Sequence, residues 1–483
     1  MGQVYLKDYE GPLYAYVDLR IADTNVVFST LGGNASGTSS GYNLNHVTNY
    51  AVGDTYISNV VMSLACTKEA TANIGGHPYG GSGGISFTLN VFDESAVYVE
   101  DLISSAITGS GGGVNCYIEY GWSAQGQRIE ERSTGFEGAM DHYTLSFEGA
   151  STILSITGKS NTTIDIGSTY AKDADIPDDV TMTAIPSDIM QWICDNVMNN
   201  LGNGITYTLD ADTTEPVDLN QTELANLTCN NKSLYAYIRE LCSLSRTSDG
   251  RGNFSFWETV DPNNPSAHVL HFKSVGEVGN ALGMEIGNEE GEVVGSVDPT
   301  AANGSPIRHY EYYGGADRGE VLSWSVDNNF SIMQASPGRT YAVDHITNEM
   351  LECDASSSFN PTRVMGLSSG AYSVLRQRMQ DLWAKYATQV ITASIDILGD
   401  ANLNVQEYIE VEVYTKYNLL HASSGVYRIL TVEDNVDTSG FTTSLTLEKD
   451  VNSSEYVTTP GQGEAGSVEG TTAAATTANT STR

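Results

Sequence analysis

Ser424-Gly425-Val426-Tyr427-Arg428-Ile429-Leu430-Thr431-Val432-Glu433-Asp434 runs through Asn435-Val436 into Asp437-Thr438-Ser439-Gly440-Phe441-Thr442-Thr443-Ser444-Leu445-Thr446-Leu447. β-Branched and aromatic residues crowd both ends of this stretch, and a cluster of turn formers separates them. It reads as strands over Val426–Val432 and Phe441–Leu447 with a turn at Asp437–Gly440. Immediately upstream, Val390–Leu398 alternates as a strand, Gly399-Asp400 makes a turn, and Ile409–Tyr414 makes another strand. Before these, Val374, Leu375, Met379, Leu382, Trp383 and Tyr386 mark one long helix near 369–389. Four strands with turn chemistry at each break are most economically arranged as a closed or nearly closed barrel.

Further outward, residues 1 to about 165 also read as strands between glycine-rich loops. Tyr14–Ile21, Ile85–Val91, Tyr143–Glu148 and Ile153–Ile156 carry the period of two, and Val97–Ile107 suggests a short helix. The texture changes near 170. Ser187 serves as a candidate N-cap for a helix carrying Ile189, Met190, Ile193, Cys194, Val197 and Met198, which Gly202 ends. A second helix starts at Ser233 and stacks Leu234, Tyr237, Ile238, Leu241 and Leu244 before Gly250, and strands follow at Asn253–Glu258 and His268–Lys273. The expected fold is therefore β-rich α+β: two small β-barrels in tandem with an inserted α/β unit. We divide the chain into a first barrel domain (1–169), an α/β domain with connector (170–299), a second barrel domain with its long helix (300–457) and a low-complexity tail (458–483). That tail holds 8 Thr, 5 Ala, 4 Gly and 2 Ser among 26 residues and no aromatic, so it has nothing with which to fold alone.

Charge narrows the function. The chain of 483 residues has 23 Lys and Arg against 60 Asp and Glu, a formal net charge of −37. A protein that neutralises phosphates or anionic lipid needs clustered cations, so nucleic-acid and membrane binding are not expected. No stretch of apolar residues is long enough for a membrane span. Met1–Asp8 lacks the basic and apolar regions of a secretory signal, and Leu6 stands where myristoylation needs Ser or Thr. Six scattered cysteines with no CxxC pair are expected to be free thiols.

Candidate chemistry is thin. Gly80-Gly81-Ser82-Gly83-Gly84 matches the G-x-S-x-G elbow, but a strand follows it where the elbow requires a helix. His268 and His271 would point to opposite faces of a strand and cannot share a metal. Asp210-Ala211-Asp212-Thr213-Thr214 opens like a calcium loop, yet Glu215 and Gln221 replace the required Gly and Glu, leaving an acidic loop. Adjacent acids such as Glu130-Glu131 and Asp178-Asp179 carry no information in so acidic a chain. No catalytic residue, cofactor or metal is expected.

The order of motifs resembles the baseplate hub proteins of contractile-tailed phages, the late-control D family, related to hubs of other contractile injection machines. The resemblance rests on Gly399-Asp400, on Ser424-Gly425 with Tyr427, and on Asp437 and Gly440-Phe441-Thr442-Thr443. Two upstream features are similar as well: the strand Cys116–Trp122 with its Tyr120-Gly121-Trp122, and the helix Ser233–Arg246 before two strands. Ala401, Gln406 and Asn435 depart from the usual proline, glycine and histidine of that pattern.

The resemblance implies a homotrimeric ring, in the virion's tail baseplate and assembled in the host cytoplasm. Such a ring joins the tail tube protein above to the central spike protein below, with other baseplate proteins as neighbours. DNA would meet it only in transit through the lumen, and the structural motif residues would be Tyr120, Gly121, Trp122, Gly399, Asp400, Gly425, Tyr427, Asp437, Gly440 and Phe441. In that setting the polar faces of Glu407–Glu412 and Glu433–Asp437 are expected on the inner wall, where acid repels DNA, and the tail after Val457 is expected to contact the spike or a neighbour. An acidic surface adhesin or carbohydrate-binding β protein is the alternative, supported by the Gly/Ser/Asn-rich loops and the Thr/Ala-rich tail. A tail-associated muralytic enzyme is a third reading.

Overall fold

The computed structural model describes residues 5–9, 11–21, 26–30, 55–58, 61–74, 77–80, 84–92, 114–124, 127–148, 151–169, 176, 184–202, 204–216, 233–245, 247, 254–261, 264–274, 307–314, 319–329, 339–343, 350–354, 360–364 and 390–449. The helices expected at 97–107 and 369–389, the connector at 286–306 and the tail at 458–483 lie outside them.

The first block consists of β1 (Leu13–Ile21), β2 (Val26–Ser29), β3 (Thr55–Ser58), β4 (Val61–Glu69), β5 (Thr71–Ile74), β6 (His77–Gly80), β7 (Ile85–Phe92), β8 (Val114–Ala124), β9 (Gln127–Arg128), β10 (Thr134–Glu148) and β11 (Ser151–Ser160). In β7 the period is visible in the side chains: Ile85, Phe87, Leu89 and Val91 are buried, and Ser86, Thr88 and Asn90 face the other way. The strand after Gly84 removes the context a nucleophile elbow needs.

The middle block holds α1 (Asn161–Ser168), α2 (Pro186–Asn196), β12 (Thr206–Ala211), α3 (Leu234–Leu244), β13 (Phe254–Asp261) and β14 (Asn264–Ser274). Ser233 caps α3 as expected, its hydroxyl accepting from the Ala236 amide at 3.2 Å. Ser187 does not cap α2. Pro186 takes the first helical position, which tolerates its missing N–H, and Ile185 becomes the cap residue. The Ser187 backbone and hydroxyl are instead bonded to Thr214. Gly202, at φ +71°, follows the short 3-10 turn Met198–Asn200 that ends this segment. The acidic stretch begins in β12, whose last residues are Asp210 and Ala211, and leaves the strand at Asp212. There Asp210 pairs with His271 at 3.0 Å and Lys273 at 2.8 Å, and Asp212 accepts from the Ser274 amide.

The last block contains β15 (Arg308–Tyr313), β16 (Val321–Asn329), β17 (Arg339–Val343), β18 (Met350–Asp354), β19 (Asn360–Val364), β20 (Val390–Leu398), β21 (Tyr408–Tyr414), β22 (Gly425–Asp437) and β23 (Gly440–Lys449). The chain is thus β-rich, and the first and last blocks share one 15-stranded sheet. Its main path runs β16-β20-β23-β22-β4-β7-β11-β10-β8-β1-β2-β3, with β21 and then β15 branching from β22.

β22 is the hinge of this topology. Along one edge it pairs with β23. Along the other, Gly425–Arg428 pairs with β21 and Thr431–Asp437 pairs with β4 of the first block. An irregularity between Ile429 and Thr431 marks the change of partner. A second, five-stranded sheet, β12-β14-β13-β5-β6, lets a hairpin of the first block complete the α/β unit. Among the described residues the buried side chains gather into three apolar cores. The first gathers Phe28, Leu89, Ile118 and Phe136 but also Val436 and Phe441 from the last block; the second gathers Ile189, Tyr237 and Phe272; the third gathers Ile395, Val411, Tyr427 and Leu445.

Three of the acids expected on a polar wall are buried in the chain itself: Glu407, Glu412 and Asp434 are each under 5% exposed. On β22 the alternation holds, with Val432, Asp434 and Val436 buried and Glu433 and Asp437 exposed, so Asp434 is the acid that falls on the core-facing side. On β21 Glu410 is half-buried and Glu412 buried.

Candidate functional site

The residues singled out by the sequence converge where the first and last blocks meet. β8 lies between β1 and β10, and Tyr120 and Trp122 project from it into the first core. Between them Gly121 has φ +152°, and a Cβ there would stand 2.2 Å from the Ser133 hydroxyl, so no larger residue fits. The Trp122 indole N–H donates to the Gly399 carbonyl at 2.9 Å, and the Tyr120 hydroxyl donates to Asp434 at 2.7 Å.

Phe441 lies between these partners. Its ring is edge-on to Tyr120 at 5.9 Å and tilted against Trp122 at 6.0 Å. The face of the same ring covers Gly399, where a Cβ would be 2.1 Å from the ring's Cγ. Gly399 also donates its amide to the Phe441 carbonyl at 2.9 Å. Gly399 is therefore a contact surface for an aromatic ring as well as a turn residue.

A buried ionic network surrounds this apolar contact. One carboxylate oxygen of Asp400 receives Arg308, Arg132 at 3.3 Å and the Tyr310 hydroxyl at 3.3 Å. Its other oxygen accepts from the Asn402 amide at 3.3 Å, and its own amide donates to Thr443 at 2.9 Å. Arg132, 1% exposed, also donates to Glu320 at 2.5 Å, and Glu320 in turn accepts from the Leu6 amide at 2.5 Å.

On the far side Lys68 of β4 donates to the carbonyls of Ala401 at 2.6 Å and Leu403 at 2.7 Å, and lies 3.8 Å from Asp434. Burial alone would raise the Asp400 carboxyl, but Arg308 and Arg132 outweigh it and hold it below its ordinary value. Asp434 goes the other way: burial raises it despite Lys68.

Gly425, Tyr427, Asp437 and Gly440 serve elsewhere. Tyr427 belongs to the third core, where its hydroxyl donates to the Ser423 carbonyl and Trp324 meets its ring edge-on at 5.2 Å. Gly425 begins β22 at φ +148°. Asp437 closes the β22–β23 hairpin by accepting from the Ser439 amide at 2.7 Å, and Gly440 begins β23 at φ +140°. Gln406, where the resembling pattern has glycine, adopts φ +65°, the left-handed conformation that glycine adopts without strain. Sequence reasoning missed Lys68, Arg132, Arg308 and Glu320.

The carboxylates of this seam are engaged by cations and hydroxyls within the core. A second polar cluster does contain serine, glutamate and histidine. Ser160 donates to Glu258, which lies 3.2 Å from His268 Nδ1, while Thr162 is 2.8 Å from that same nitrogen. Glutamate stands between serine and histidine, so the imidazole cannot take the serine proton, and all three side chains are buried. The cluster ties α1, β11 and β13 together, and the Ile85 amide adds β7 by donating to Glu258 at 3.1 Å. Of the six cysteines, Cys66, Cys116, Cys194 and Cys242 are buried free thiols.

No family description matches the chain, and none of the curated proteins matches it. Among solved structures it is similar to a tail protein from Neisseria meningitidis, at 11% identity and a TM-score of 0.46, over 91% of this chain and 98% of that one. It is similar also to the 43 kDa tail protein of prophage MuSo2 from Shewanella oneidensis, at 10% identity and a TM-score of 0.42, over 90% and 97%. A third is the E. coli c3393 protein, a component of the type VI secretion system, at 8% identity and a TM-score of 0.38, over 80% and 73%.

Proposed function

We propose that the chain is a structural baseplate hub of a contractile-tailed phage or a related injection machine. Three copies form a ring that joins the tail tube to the central spike and lets DNA pass through its lumen. In this reading 1–169 and 300–457 are the two barrels of each copy, 170–299 is the inserted unit, and 458–483 is the segment that reaches the spike or an adjacent baseplate protein.

One observation carries the proposal. Motif residues from separated stretches, Tyr120 and Trp122, Gly399 and Asp400, and Phe441, meet at one buried joint. The joint suits an adaptor under mechanical load, since backbone ladders, an aromatic cluster and a buried ion network all cross it. An enzyme would keep some of these polar groups open to a substrate.

Co-expression with the tail tube and spike proteins of the same tail tests the reading. A tagged chain is expected to retain both partners through purification. Retention of neither would overturn the adaptor role.

A further inference from the structure

β15 and β21 run parallel, with His309 opposite Glu410 and Glu311 opposite Glu412. The period of two places all four side chains on one face of this two-strand ribbon. His309 Nδ1 lies 3.2 Å from Glu410 Oε2. That contact leaves Nε2 facing the opposite pair, 3.8 Å from Glu311 Oε1 and 3.8 Å from Glu412 Oε2. All three ligand atoms lie within 4.8 Å of one another. Tyr414 donates to Glu412 at 2.5 Å and Tyr313 donates to Glu311 at 2.9 Å, so a hydroxyl orients each carboxylate.

We propose that this face is a divalent transition-metal site of the zinc class, with His309 Nε2, Glu311 and Glu412 as ligands and Glu410 orienting the imidazole. Like charges directly opposite on neighbouring strands destabilise a sheet, and Glu412 is only 4% exposed. Among the described residues the ion pairs of Glu311, Glu410 and Glu412 all run to His309, so one imidazole stands against three carboxylates. A bound dication corrects that imbalance.

The donor set selects the ion. Calcium and magnesium take oxygen alone, whereas an imidazole with carboxylates suits zinc, manganese or iron. A carboxylate on the second ring nitrogen is the usual support of a metal-bound histidine. Zinc bonds of ~2.0–2.2 Å set donors about 3.4 Å apart around a tetrahedral ion, so the 3.8 Å spacings close by a few tenths of an ångström on binding. The ion would fasten β15 to β21, its partner in the sheet.

Calorimetric titration of the chelator-treated full chain with zinc tests this, alongside cobalt as a spectroscopic probe. One equivalent per chain is expected, with the visible bands of a low-coordinate cobalt site and a raised melting temperature. His309→Ala and Glu412→Gln should abolish site binding. Glu410→Gln, which preserves shape, should weaken it roughly 10–100-fold. Absence of zinc binding, calcium binding in preference to zinc, or equal binding by wild type and all three variants would overturn the site. Circular dichroism of each variant separates lost binding from lost folding.

Discussion

Gly399 and Phe441 form a contact that a double-mutant cycle can isolate. A Cβ at 399 would lie 2.1, 2.2 and 2.4 Å from Cγ, Cδ1 and Cδ2 of Phe441, where ordinary contact begins at 3.4 Å. The ring would have to retreat by 3.4 − 2.1 = 1.3 Å at its nearest atom. It has nowhere to go, being 1% exposed and held by Tyr120 and Trp122.

Gly399→Ala should therefore cost ~2–3 kcal/mol, the upper part of the overpacking range. Phe441→Ala should cost ~3–5 kcal/mol through the cavity it leaves. In the double variant the new methyl enters the space the ring vacates. The two costs should not add, and a coupling of about 1–3 kcal/mol in the stabilising direction is expected. Urea unfolding of the four proteins, followed by tryptophan fluorescence, gives the cycle directly. Additivity within ~0.5 kcal/mol would refute the claim that Phe441 is what makes Gly399 obligatory.

Other expectations follow from the same seam. Arg132→Met strands Glu320 and Asp400 without a shared cation and should cost ~3–5 kcal/mol in the same urea assay. Asp400, held below its ordinary value, contributes stability that is present above about pH 3.9 and lost as the pH falls below it. The acid limb of stability against pH should therefore be shallower in Asp400→Asn; an unchanged slope counts against the network. Asp434 and Glu407 act with the opposite sign, since burial raises both and protonation then favours the fold. Burial pushes the Cys66 thiol up to about 12 and Cys194 to about 11, and raises Cys116 and Cys242 as well. Peptide mapping after alkylation of the native protein near neutral pH should find these four unmodified, and rapid labelling of any would contradict their burial.

Much of the fold was legible because apolar alternation is a local property. β20 matches its expected bounds of Val390–Leu398, and β7, β21 and β23 fall within a residue or two of theirs. The partner choice of β22 was not legible: pairing Thr431–Asp437 with Ser63–Glu69 depends on which edge the folded chain presents. Tyr120, Trp122, Gly399 and Phe441, the apolar half of the seam, are singled out through the resemblance to the hub family and not by any local pattern.

The seam's ionic half was not legible, since Arg132 reaches Glu320 across 188 residues and nothing local in either announces the other. Arg132 directly follows the acid pair Glu130-Glu131, so its local sequence suggests a neighbouring ion pair and not a partner 188 residues away. Lys68 could have been found. It shares strand parity with the buried Leu64 and Cys66, and a scarce cation on a core-facing position implies buried acceptors. Glu407, just before β21, and Glu412 within it misled because acids in such a stretch suggest solvent, whereas here Asn404 and Tyr414 supply them with hydrogen-bond donors.

The hub reading stands most directly on the number of chains in the native particle. Native mass spectrometry of the purified full chain measures it: a trimer of 51.8 kDa subunits weighs 3 × 51.8 = 155.4 kDa. The account predicts that species, persisting on dilution. A particle of 51.8 kDa at every concentration would contradict it.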